Sequence, residues 1–127
     1  MAITYTASAQ LTDGANSDVR TLTAQITGGD HEQAGTVSTS TDEGSVAIDS
    51  DITGGNGPHL VWVRNMSSTV GEIISLGTAT GVLPVSLGPG EVQMFGIAAA
   101  ATALFHDAAS GTPLMKFKIT ERPTPPP

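Results

Sequence analysis

Between Ile3 and Thr12 apolar and polar residues alternate without a fault, with Ile3, Tyr5, Ala7, Ala9 and Leu11 on one side and Thr4, Thr6, Ser8, Gln10 and Thr12 on the other. A period of two is that of a strand with one buried face, and it does not fit the 3.6-residue period of an amphipathic helix. The alternation returns at Leu22, Ala24 and Ile26 against Thr21, Thr23, Gln25 and Thr27, and again at Met115, Phe117 and Ile119 against Lys116 and Lys118. A chain patterned in this way at both ends has to build sheets. Its abundant Gly and Thr are poor helix formers, whereas Thr, Val and Ile suit a pleated surface.

Between these ends, turn chemistry at regular intervals cuts the chain into further strands. Residues 13–18 (DGANSD) read as the first turn, and the second strand ends at Gly28-Gly29-Asp30. Residues 36–41 (TVSTST) predict a weak or edge strand, and residues 45–52 a better supported one carrying Val46, Ile48 and Ile52. Leu60, Val61 and Val63 around Trp62 are apolar on both faces, which predicts a central strand covered on two sides, with Trp62 in the core. Residues 73–76, 82–87 and 92–97 follow as short strands, with Pro84 expected at an edge or bulge because it cannot donate to a ladder. Residues 98–104 have high helix propensity, but a helix so short is marginal in water, so a turn and a strand through Ala103, Leu104 and Phe105 fit the spacing better.

The fold class expected is all-β: an antiparallel β-sandwich or jelly-roll-like barrel of about 8–10 short strands. Residues 1–120 would form this one domain, which the 127-residue length just accommodates. Residues 121–127 would be a proline-rich tail in polyproline II conformation. Zero cysteines exclude disulfides and thiolate chemistry within the chain. No basic segment followed by an apolar run opens the sequence and no stretch of about 18 apolar residues occurs, so synthesis in a cytoplasm without a cleaved signal or a membrane partner is expected.

Chemistry finds little purchase. His31, His59 and His106 lie in separate segments without a metal-ligand spacing, and the adjacent residues of Asp30-His31-Glu32 would point in different directions from a solvated turn. The Glu91-Val92-Gln93-Met94 that follows Pro89-Gly90 lacks the ligands of a cupin metal site, and no Gly-x-Ser-x-Gly elbow is present. No catalytic, cofactor-binding or metal-binding residue is therefore assigned, and no cofactor is expected. The charge of −7 is one-sided: residues 1–57 hold eight acidic groups and one Arg, while residues 58–127 hold four of each sign. The acidic half would repel DNA, and no basic cluster with interleaved aromatics is visible along the second half, so direct nucleic-acid binding is not expected.

Two stretches carry a resemblance. Leu60-Val61-Trp62-Val63-Arg64-Asn65, then Ile73-Ile74-Ser75-Leu76-Gly77 and Val85-Ser86-Leu87-Gly88-Pro89-Gly90-Glu91, form the first; Leu104-Phe105-His106 and Leu114-Met115-Lys116-Phe117-Lys118-Ile119 form the second. In this order they resemble small β-sandwich structural proteins of tailed-bacteriophage virions, namely head decoration (cement) and tail- or fibre-associated subunits. The resemblance spans about residues 58–120 and rests on structural turns: Asn65, able to cap its own turn, and Gly88, Pro89 and Gly90, a tight bend. It implies a non-enzymatic subunit on the capsid exterior, assembled with itself as a homotrimer and bound to the major capsid protein or other virion subunits. A tail, neck or fibre component and a carbohydrate- or receptor-binding sandwich are the alternatives. The tail residues Pro123, Thr124, Pro125, Pro126 and Pro127 would supply a subunit contact, since prolines restrict the backbone before a partner is met.

Overall fold

The alternating segments do fold as strands. The computed structural model describes residues 4–12, 19–27 and 29–123, in ten strands and one helical turn. Strands β1 (Thr4–Thr12) and β2 (Val19–Thr27) pair antiparallel in a register that sets Tyr5 opposite Ile26, Ala7 opposite Ala24 and Ala9 opposite Leu22. They pair with each other and join neither of the larger sheets. The turn expected at residues 13–18 and the tail residues 124–127 lie outside the described residues.

The other eight strands are β3 (Glu32–Ser38), β4 (Gly44–Ala47), β5 (Pro58–Asn65), β6 (Ile74–Gly77), β7 (Val85–Leu87), β8 (Val92–Gly96), β9 (Ala103–Ala108) and β10 (Leu114–Glu121). They form two antiparallel sheets in the orders β3-β10-β5-β8 and β4-β9-β6-β7. Only the β6–β7 connection stays within a sheet; every other link from β3 to β10 crosses to the opposite one. This strand order is that of a double-sheet jelly roll.

The core lies between the sheets. Val61, Val63, Met115, Phe117 and Ile119 face it from one side, and Ile74, Leu76, Leu87 and Leu104 from the other. Each fully buried side chain of this size contributes about 1.5–3 kcal/mol relative to exposure, enough to hold a fold without covalent links. The inward residues of β10 are those that the period-two pattern separates from their polar neighbours, whereas β9 buries His106 and leaves Phe105 half-buried.

Several boundaries differ from expectation. The strand expected at residues 36–41 runs Glu32–Ser38 instead: it is an edge strand, but it ends earlier because Thr39 N–H turns to the Pro113 carbonyl and the chain crosses to the second sheet. The strand expected at residues 45–52 stops at Ala47, where the Gln33 carboxamide donates to the Ala47 carbonyl and accepts from Asp49 N–H. The Asp49 carbonyl then accepts from Ile52 and Thr53 N–H, winding the helical turn α1 (Ser50–Thr53) that drops Ile52 into the core. The residues before β7 make a tight turn, Val82 N–H to the Ala79 carbonyl, so Pro84 precedes an edge strand. Residues 98–101 form a turn closed by Ala101 N–H on the Ala98 carbonyl, and the chain enters β9 at Ala103.

Glu121 and Arg122 do not belong to a tail. Glu121 is the last residue of β10 and is buried; Arg122 N–H donates to the Gly57 carbonyl and its guanidinium to the Ile97 carbonyl. Pro123, the last described residue, is exposed.

Candidate interaction face

Strand β5 lies between β10 and β8, and its alternate residues divide between two environments. Val61 and Val63 are fully buried in the core. Trp62, expected in the core as well, instead faces outward and is half-buried, because the outer side of this sheet is covered less completely than the apolar run suggests. Leu60 on that side is buried, so the misleading signal came from one covered residue beside one that is not.

The register builds the outer face row by row. Across β3, β10, β5 and β8 one row reads Ala34, Lys118, Trp62, Met94, and the next reads Thr36, Lys116, Arg64, Val92. Neighbours within such a row stand about 5 Å apart at Cβ, within reach of one another. Three of the five Lys and Arg residues of a chain with net charge −7 thus lie in the row of its single Trp or the next one. The basic cluster that could not be seen along the chain is assembled by strand pairing.

A groove of about 280 Å³ opens on this face, lined by Ala34, Leu60, Trp62, Met94, Lys116 and Lys118. Thr120 closes one end, with its hydroxyl accepting from Leu60 N–H. Lys118 Nζ lies 3.4 Å from Glu32 Oε1, a partly exposed pair worth at most about 1 kcal/mol. Among the described lining residues there is apolar surface and cationic donors, but no carboxamide or carboxylate that would read a ring of hydroxyls. Such a groove suits an apolar side chain flanked by negative charge.

The residues singled out as turns anchor one end of this sheet. Asn65 is fully buried: its carboxamide donates to the Glu72 carbonyl at 2.8 Å and the Leu87 carbonyl at 3.0 Å and accepts from Ser67 N–H at 3.0 Å. The Leu87 contact ties β5 to the opposite sheet. Gly88 to Glu91 closes a turn with Pro89 at its second position and Gly90, φ +76°, at its third, where only glycine is unstrained; Gly90 N–H returns to the Asn65 carbonyl. These groups hold geometry rather than ligand.

The other end is held by Glu121. Oε1 accepts from the N–H of Asp30 and His31 and from the His31 ring at 3.0 Å, and Oε2 accepts from Asn56 N–H at 3.1 Å. Burial pushes the Glu121 carboxyl pKa up, but the hydrogen bonds from Asn56, the His31 ring and the backbone of Asp30 and His31 outweigh it, leaving the pKa below the usual glutamate value. In the Asp30-His31-Glu32 run, His31 turns to Glu121 and Glu32 to Lys118. His59 and His106 are apart from this cluster. Burial, then the nearby Arg122, lowers the His59 pKa; burial lowers that of His106, partly offset by Asp107.

Among the described residues no three His, Asp or Glu side chains gather as a metal site, and no described helix is long and apolar enough to cross a membrane. No protein family, curated protein or solved structure matches the chain.

Proposed function

We propose that this protein is a non-enzymatic structural subunit that works by docking to other protein subunits, and that its particle is a bacteriophage virion, where it decorates the outer capsid surface as a homotrimer. The observation that carries the docking role is the outward face of the β3-β10-β5-β8 sheet, where Trp62 and Met94 line a groove flanked by Lys116 and Lys118, with Arg64 on the adjacent row. Tryptophan and arginine are enriched at protein interfaces because they bury large amphipathic surfaces, and a lone Trp left half-exposed on a sheet is surface of that kind. The virion placement rests on the segment order that resembles phage structural proteins. It is supported by analogy with the use of jelly rolls in capsid domains. A subunit of this kind stabilises a shell by adding contacts that must break before its neighbours separate. Cryo-electron microscopy of the purified particle tests the placement: density for the sandwich is expected on the capsid exterior. Density confined to the tail, neck or fibre would replace the decoration role with the tail-associated one.

The outward Trp62 also favours a second reading, a carbohydrate- or receptor-binding sandwich, since sugars stack on exposed aromatic rings. The lining weighs against it, because a sugar's hydroxyls need paired acceptors and donors, and beside the Thr120 hydroxyl, already engaged by Leu60 N–H, the polar side chains of the lining are two lysines.

A further inference from the structure

Building on the docking role proposed above, we infer that the occupant of the Trp62 groove is an acidic protein segment in which an apolar side chain is flanked by Asp or Glu. The apolar chain enters between Trp62, Met94 and Leu60, and the carboxylates meet Lys116, Lys118 and Arg64 on the rows beside it. Charge complementarity selects this occupant. Residues 1–57 carry a net charge of −7, the face carries three cations, and Glu32 pairs with one of them, Lys118. An acidic segment would be steered to this face and repelled by much of the remaining surface, which orients the docking. The groove volume is that of one large side chain with its first neighbours, so a linear segment fills it without rearrangement of the sheet.

Because Trp62 is the single tryptophan, its emission reports on the groove directly. The test titrates the full chain with a blocked, Trp-free heptapeptide in which one Leu is flanked on each side by three Glu residues. Its controls are the same peptide with Gln for Glu, a single-stranded oligonucleotide and an oligouronate. A saturable shift of Trp62 emission is expected with the Glu peptide alone, weakening with added salt. The double substitution Lys116→Gln/Lys118→Gln should weaken binding about tenfold while the circular dichroism stays unchanged. Should that variant fail to fold, amide chemical-shift mapping on the wild type takes its place, with shifts expected on β5, β8 and β10. Absence of saturation to millimolar peptide, an equal response to the Gln peptide, or a stronger one to the oligonucleotide or oligouronate overturns the proposal. So does a concentration-dependent emission shift without any ligand, which would put a second copy on the face. Peptide binding by a protein that imaging finds off the capsid would leave this inference standing and remove only the capsid placement.

Discussion

The Glu121 carboxylate accepts hydrogen bonds from both the backbone N–H and the ring of His31, so the last residue of the final strand fixes the chain just ahead of β3. Replacing it by Gln leaves one acceptor oxygen and an amide facing backbone N–H groups. Glu121→Gln should cost about 3 kcal/mol, read as a lower urea midpoint with unchanged slope.

The same contact sets a pH dependence. The folded pKa of Glu121 is lowered, so its stabilisation is complete above the unfolded value near 4.5 and is lost as pH falls through the lower folded pKa. The stability gap between wild type and Glu121→Gln should therefore be constant from neutral pH to about 5 and narrow below that. A gap that persists into strong acid would show that the charge is not what holds the joint.

Asn65 donates to the carbonyls of Glu72 and Leu87 across the sandwich end, and its loss orphans them. Asn65→Asp, which replaces the donors by a carboxylate against two carbonyl oxygens, should cost about 3–4 kcal/mol, more than Asn65→Ala at about 2–3 kcal/mol. Thermal unfolding of both variants checks the order.

His106 is buried with neither ring nitrogen hydrogen-bonded, and burial lowers its pKa. Stability linked to its neutral form is complete above the unfolded value of 6.5 and falls as the folded pKa is approached from above. His106→Leu should stabilise the fold by about 1 kcal/mol at neutral pH and flatten the loss between pH 6 and 5.

Removing residues 123–127 should leave the unfolding midpoint unchanged, whereas removing residues 121–127 should unfold the protein, because Glu121 and Arg122 hold residues 29–31, 56–57 and 97. Retention on the particle by the shorter deletion would show that the prolines anchor nothing. Reduced oligomer or particle attachment is the expected outcome.

Period and turn chemistry made the strands legible: β10 follows its alternation, and the helix-prone stretch before β9 is a turn. The interaction face was not legible, because Arg64 and Trp62 meet Lys116 and Lys118 only through a register between strands half a chain apart. Trp62 was misplaced for a related reason. An apolar neighbour such as Leu60 signals cover, but how far that cover extends is decided by which strands lie beside it. Glu121 was hidden by the prolines after it, because the last strand runs one residue beyond Thr120.

The cationic, outward-facing setting of Trp62 is the centre of the account, and fluorescence quenching with charged quenchers measures it in one experiment. Iodide should quench Trp62 more strongly than caesium does, although the protein's net charge of −7 would by itself favour the cation, because Arg64, Lys116 and Lys118 concentrate anions at the ring. The excess should shrink as sodium chloride screens the face. A blue-shifted Trp that neither ion reaches, or one that caesium quenches better, would contradict the account.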